Sequence, residues 1–214
     1  MSQIIIGLVG ASGAGKTTVA NVLVESFGFT KLHIGTPLKG MLQALGLSDY
    51  DLTGPPEHRS KPHEMLAEKS VRFALSTLGT QWGREMISED LWSKHLERRL
   101  VRFFEENDGV GAVVVDDLRF PNDWKAITNL GGQLVSVRRP EVEIRRSALD
   151  ILYYQHGLKK LVPASFLSGL LTHETEFHWR DAPYSLELFN TSDPGEVVET
   201  LVESLGSIGE EQSD

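Results

Sequence analysis

An α/β fold, a parallel sheet layered between helices on both faces, is what this sequence predicts. Three observations predict it. Short apolar runs at 4–9 and 112–115 and a strand-like stretch at 133–137 alternate with stretches whose apolar residues recur at helical spacing. The first run leads directly into Gly10-Ala-Ser-Gly-Ala-Gly-Lys-Thr17, which fits the pattern G-x-x-x-x-G-K-[ST] in the strand–loop–helix context that pattern requires. The 112–115 run ends in Asp116-Asp117-Leu118-Arg119, charged residues at the carboxyl end of a strand, where open α/β sheets bind ligands.

The run Ile4-Ile5-Ile6-Gly7-Leu8-Val9 suits a buried parallel strand. In the loop that follows, glycines at 10, 13 and 15 let the backbone approach an anion without a Cβ in the way. Loop N–H groups and the helix N-terminus aim positive partial charge at phosphate oxygens. Gly10, Ala11, Ser12, Gly13, Ala14, Gly15, Lys16, Thr17 and Thr18 are the expected nucleotide cradle. Lys16 is expected on the β- and γ-phosphates and the Thr17 hydroxyl on Mg²⁺. Val19, Ala20, Val22, Leu23 and Phe27 mark the helix, with Gly28 to end it.

Residues 29–34 suit a short strand, and Thr36-Pro37 reads as an N-cap with proline at the first helical position. Leu38, Met41, Leu42 and Leu45 form one face of that helix. Lys39, in its first turn, is either a solvated lysine or an anion contact. Residues 48–63 show no period and read as a long loop. Val71, Ala74, Leu75 and Leu78 give a helix expected to stop at Gly79. Gln81, Trp82 and Arg84 follow. They offer a ring and donors for a base or phosphate, against the simpler reading of a core tryptophan with polar neighbours.

Trp92, Leu96, Leu100 and Phe103 mark another helix, closed by Asp108-Gly109. At the end of the 112–115 strand, Asp116, Asp117 and Arg119 are either a structural ion pair or a site in which an acid such as Asp116 holds Mg²⁺ or a substrate hydroxyl. Pro121 opens a helix that Gly131-Gly132 ends, and the next strand delivers Arg138-Arg139-Pro140. With Arg145 and Arg146 in a helical segment from 141 to about 155, these arginines are either a solvated basic face or a clamp on transferring oxygens. The apolar segment 157–172 can cover the site, join an oligomer interface or simply pack. A last strand at 184–189 precedes Asp193-Pro194-Gly195-Glu196, which has capping-box spacing, and a helix with Val197, Val198, Leu201, Val202 and Leu205 on one face. Residues 207–214 read as a frayed, disordered acidic tail.

Composition narrows the partners. The 214 residues carry 40% apolar and 24% charged side chains, ordinary for a folded domain. A net charge of −9 argues against a nucleic-acid polymer as partner and requires local Arg and Lys clusters for any anionic substrate. No cysteine is present, which suits a reducing compartment. No apolar run is long enough to span a membrane, and the early phosphate loop leaves no space for a signal peptide, so a cytoplasmic protein is expected.

Several stretches together resemble one family, the bacteriophage-type deoxynucleoside monophosphate kinases. They are Gly10 to Ala20, Thr36-Pro-Leu-Lys39, Leu78-Gly-Thr-Gln-Trp-Gly-Arg84, Asp116-Asp-Leu-Arg-Phe-Pro-Asn-Asp123, Gly131-Gly132 with Arg139-Pro140, and His173-Glu-Thr-Glu176. They fall in family order over most of 4–205. Asp-x-Arg-Phe-Pro-Asn and Leu-Gly-Thr-x-x-Gly-Arg are the specific ones. The chain departs from the family's His-x-Ser-Glu in having Thr175, with the apolar insert just before it.

The resemblance implies a three-layer P-loop NTPase fold like that of adenylate kinase, with a helical lid or insert. It implies one kinase domain over 1–206, an acceptor region at about 36–90 and a lid at about 138–180. It implies transfer of the γ-phosphoryl group of ATP, with Mg²⁺, to a deoxynucleoside monophosphate. Lys16, Arg119 and Arg139 would be catalytic, and Thr36, Lys39, Gln81, Trp82, Arg84, Asp117, Arg119, His173 and Glu176 would line the acceptor site. It implies a small-molecule substrate, admits a homodimer, and places a phage-encoded enzyme in the host cytoplasm. Two other readings compete. A kinase like dephospho-coenzyme A kinase would show an Asp-rich segment where this chain has His33-Ile-Gly-Thr-Pro-Leu-Lys39. A GTPase-like switch would show Asn/Thr-Lys-x-Asp, and Thr30-Lys31-Leu32-His33 lacks the Asp.

Overall fold

A computed structural model describes residues 3–143, 178–190 and 193–211, with side chains through 204. The chain divides into two compact units, Met1–Lys31 with Gly111–Asp214, and Leu32–Val110.

The first unit is built on strand β1 (Gln3–Val9), followed by helix α1 (Lys16–Phe27) and the short edge strand β2 (Thr30–Leu32). As expected, Gly28 ends α1 in the left-handed conformation, and its N–H bonds back to the Leu23 carbonyl. After the second unit come β5 (Gly111–Val115), α7 (Pro121–Thr128), β6 (Gln133–Arg138), β7 (Leu186–Phe189) and α8 (Pro194–Glu211). The sheet order is β2-β5-β1-β6-β7. β1 pairs in parallel with β5 and with β6, and β6 pairs in parallel with β7.

Both faces of this sheet are covered, which is why its strands read as continuous apolar runs. Ile6, Leu8, Val9, Val113, Val114, Val115, Val135 and Val137 have no exposed surface. On one face α7 packs across β1 and β6, with its Ile127 beside Gly7 and Gly132. Helices α1 and α8 pack on each other, α1 also against β1 and β5 and α8 against β7. This is the three-layer α/β arrangement the sequence predicts. Asp193 caps α8 through its Oδ1, which accepts from Gly195 N–H at 2.7 Å, one residue before the donor of a capping box. The helix then runs to Glu211, past residue 207, where a frayed tail is expected.

The second unit is mostly helical: α2 (Thr36–Gln43), α3 (Asp49–Thr53), α4 (Pro56–Arg59), α5 (Val71–Thr77), a π-helical segment (Leu78–Ile87) and α6 (Leu91–Glu106). A two-stranded antiparallel ladder, β3 (Pro62–His63) with β4 (Lys69–Ser70), sits among them. Leu42, Leu47, Leu52 and Val71 form its core, with Leu66, Ala74, Leu75 and Leu78 packed against them.

Three expectations change here. Thr36 does not cap α2: Gly35 holds that place, and the Thr36 hydroxyl donates to the His33 carbonyl at 3.0 Å. The expected loop at 48–63 contains α3 and α4, because Ser48 and Asp51 form a reciprocal capping box that starts α3. The Ser48 hydroxyl and N–H, and then His58, hold the Asp51 carboxyl well below the usual carboxylate range. Nor does the helix stop at Gly79. Gly79 takes no positive φ and so does not form a left-handed glycine cap, and its carbonyl accepts the Trp92 indole N–H at 2.8 Å. The chain instead widens into the π-helical segment, whose end shows the matching spacing in the bond from Ser88 N–H to the Gly83 carbonyl.

Candidate active site

In the first unit the carboxyl ends of β1, β5, β6 and β7 open into a cleft of about 670 Å³. The phosphate loop forms its floor, with Gly10, Ser12, Gly13, Gly15, Lys16, Thr17 and Thr18 on the lining. Asp116, Asp117 and Arg119 reach it from beyond β5, Arg139 from beyond β6, and Asn190 and Pro194 from beyond β7. Asp116, Arg139 and Asn190 each directly follow the last residue of a parallel strand. The two remaining cradle residues, Ala11 and Ala14, turn their methyl groups into the core and present only backbone.

The loop is held by its own lysine. Lys16 Nζ donates to the carbonyls of Gly10 and Ala11 at 2.9 and 2.8 Å. Gly15, whose φ of +97° suits glycine, stands at the N-cap of α1, and no side chain caps the helix or places an acid in its first turn. A helix N-terminus of this kind, with its N–H groups and dipole, favours an anion.

Asp116 is buried, with 4% of its surface exposed, and Asp117 is half-buried beside it. Thr17, Asp116 and Asp117 give the cleft a hydroxyl and two carboxylates, hard oxygen donors of the kind that suit Mg²⁺. Arg119 is exposed on the cleft wall, on a turn held from beneath by Asp123. That carboxylate is fully buried, and its Oδ2 accepts from the N–H groups of Arg119 and Phe120 at 3.0 and 2.9 Å. The last acid of the Asp-x-Arg-Phe-Pro-Asn-Asp stretch thus shapes the turn that presents the arginine.

The two arginines at the end of β6 part company. Arg138 is engaged within the fold: its Nε and Nη2 donate to the Glu143 carboxylate at 2.6 and 2.9 Å, and its Nη1 to Glu187 at 2.5 Å. Its guanidinium also stacks over Trp179. This pairing raises the Arg138 pKa further and holds Glu143 below the usual carboxylate range. Arg138 is accordingly removed from the set of candidate clamp arginines. Arg139 lies beyond the strand with 48% of its side chain exposed, lines the cleft, and has Glu141 3.7 Å away.

Thr36, Lys39, Gln81, Trp82 and Arg84 belong to the second unit. Thr36 and Gln81 are exposed, and Lys39 and Trp82 half-buried. Arg84 is 9% exposed, and its Nη1 donates to the Glu89 carbonyl at 3.0 Å. The core tryptophan of this stretch is Trp92, with Trp82 ring to ring beside it at 6.0 Å. A Cβ at Gly83 would fall 2.4 Å from the Trp92 indole, so that glycine serves packing. Arg145, Arg146, His173, Glu176 and the insert 157–172 lie outside the described residues.

Sequence reasoning missed Asn190, Trp179 and Pro194 on the cleft wall. A signal for Asn190 was present: it directly follows an expected parallel strand, the same position that singled out Asp116 and Arg139. Trp179 carries none, because only folding brings it beside Arg138.

No protein-family model matches the chain. A protein of Acanthamoeba polyphaga mimivirus described as "Putative deoxynucleotide monophosphate kinase" is 30% identical over 148 residues, which span 65% of this chain and 76% of that protein. Among solved structures, shikimate kinase from Aquifex aeolicus vf5 is similar at a TM-score of 0.49 and 15% identity, covering 96% of this chain and 98% of its own. TT1252 from Thermus thermophilus is similar at 0.49 and 20%, covering 97% and 98%. Dephospho-CoA kinase from Campylobacter jejuni is similar at 0.46 and 13%, covering 96% and 97%. Likenesses at that level carry no argument about substrate or chemistry.

Proposed function

The chain belongs to the deoxynucleotide monophosphate kinase family, and from that premise we propose that it transfers the γ-phosphoryl group of ATP to a deoxynucleoside 5′-monophosphate, releasing the diphosphate and ADP. The observation that carries the reading is the shared cleft. A phosphate loop with its lysine, two carboxylates and two arginines from three different strand ends converge on one space.

The acceptor phosphate is already a nucleophile near neutral pH, so the site needs no strong general base. The protein's work is positioning and charge neutralisation. The loop N–H groups receive the β- and γ-phosphates. Lys16 exchanges its two loop carbonyls for phosphate oxygens. Arg119 holds the acceptor phosphate, and Arg139 meets the charge on the transferring group. Thr17 and Asp116 are the residues that would hold Mg²⁺, which when bound neutralises charge on the β- and γ-phosphates. Asp117 orients the acceptor. Thr36, Lys39, Gln81, Trp82, Arg84, His173 and Glu176 complete the proposed acceptor pocket. The segment from about 138 to 180 is the proposed lid of a single kinase domain over 1–206. A cytoplasmic setting and a homodimer belong to the same proposal. Among the described residues no helix is long and apolar enough to cross a membrane.

A coupled ADP-release assay tests the reading against matched deoxy- and ribonucleoside monophosphates, with dephospho-coenzyme A as a further acceptor. ADP release that depends on a deoxynucleoside monophosphate is the expected result. Equal kcat/KM for dGMP and GMP refutes the deoxyribose preference. Turnover with dephospho-coenzyme A alone refutes the proposed acceptor.

A further inference from the structure

We propose that Asn190 is a positioning residue of the donor site: its carboxamide fixes the peptide between Ala14 and Gly15 so that the phosphate loop presents N–H groups, not carbonyls, to the triphosphate. The proposal rests on the kinase reading above.

Asn190 follows β7 and lines the cleft. Its Nδ2 donates to the Ala14 carbonyl at 2.9 Å, joining the last strand to the phosphate loop across 176 positions of sequence. Its main chain is fixed as well, because its backbone N–H donates to the Arg138 carbonyl at 2.8 Å, just before Arg139. A Cβ at residue 15 would fall 2.1 Å from Nδ2, so the amide occupies the space that a side chain there would take.

A trans peptide is planar, and its C=O and N–H point in opposite directions. Holding the Ala14 carbonyl on the Asn190 side therefore holds the Gly15 N–H on the other. Three loop carbonyls, those of Gly10, Ala11 and Ala14, accept from side-chain donors. Lys16 supplies two of these bonds, and its charge is drawn to phosphate when a nucleotide arrives. Asn190 is neutral and keeps its carbonyl. A released Ala14 carbonyl is free to rotate and set an oxygen against phosphate oxygens, which opposes the electrostatic arrangement that catalysis needs.

Two variants test this. Asn190→Ala removes the amide, and Asn190→Asp keeps its shape while replacing the donor with an acceptor. Gly15 amide shifts are followed by NMR in each full-length chain during titration with a non-hydrolysable ATP analogue. kcat and both KM values are measured beside them. The proposal expects a displaced Gly15 amide with an altered response to the analogue in both variants. It also expects kcat to fall by about tenfold or more while the KM for the deoxynucleoside monophosphate moves less than about twofold. A wild-type Gly15 response together with wild-type kcat in a folded variant overturns it, as does a loss confined to the KM for ATP with the amide unmoved. If Asn190→Ala does not fold, Asn190→Asp decides by the same measures. If the wild-type chain phosphorylates no monophosphate, the kinase reading fails alone. The Gly15 response still decides the latch, which stands if both variants alter it and falls if neither does.

Discussion

Replacing Asp123 separates what holds the Arg119 turn from what merely lies beside it. The carboxylate is fully buried and accepts two backbone N–H groups through one oxygen. In Asp123→Ala both donors lose that acceptor, and a buried donor left without a partner costs about 1–3 kcal/mol. Arg119 is exposed and Phe120 half-buried, so water can reach part of the vacated space and the lower end applies. About 2 kcal/mol for the pair is expected, which in a chain of this size lowers the melting temperature by about 4–8 °C. Asp123→Asn keeps a carbonyl oxygen where Oδ2 stands and should lose under about 1 kcal/mol. Calorimetry on the two variants reads these differences. The same variants are then assayed at saturating ATP. A loosened Arg119 turn should lower kcat by about tenfold in the Ala variant and far less in the Asn variant. An Ala variant that melts within about 1 °C of wild type refutes the energetic argument. One that melts as expected with unchanged kcat refutes the positioning of Arg119.

Lys16→Ala should lower turnover by on the order of 10²-fold or more while the fold persists, since its bonds to the Gly10 and Ala11 carbonyls lie within the loop itself; near-normal turnover in the folded variant would remove the loop from the chemistry. Arg139→Ala should lower kcat by about tenfold with little change in melting temperature, because an exposed charge contributes little to folding. Arg138→Ala should do the reverse, destabilising through the loss of its partners at Glu143 and Glu187. Glu143 titrates below its ordinary 4.5, chiefly through its hydrogen bond with Arg138, so the stabilisation from this pair is complete above about pH 4.5 and is lost as pH falls through the lower folded-state value. Thermal midpoints between about pH 2 and 7 should show a shallower acid limb in Glu143→Gln than in wild type. Parallel curves would mean the pair adds nothing.

The parts of this protein that local rules encode were legible in the chain alone. Gly10 to Thr17 declares an anion cradle because glycine conformations, a lysine and a helix start are all specified within eight residues. Apolar runs mark β1 and β5 because a strand buried on both faces has little place for polar side chains. Gly28 and Asp193 mark helix ends because caps are satisfied by near neighbours. Ser48 and Asp51, three residues apart, carry the same kind of local signal.

Which distant groups meet is set by the packing of the folded chain. Strand order is not written in chain order: β1 lies between β5 and β6, which come more than a hundred positions later. Arg138 and Arg139 are chemical twins in the sequence. The one that ends β6 is set against Glu187 on the neighbouring strand, and the one beyond the strand opens onto the cleft. The position of Asn190 after a strand points to the cleft, but its partner, the Ala14 carbonyl, is set only when β7 is laid beside β6. The physical reason is common to all three. Dihedral preference and hydrophobic period act over a few residues, whereas partners across a sheet are selected by burying two faces at once and completing the hydrogen-bonded ladder, conditions that no single stretch of chain contains.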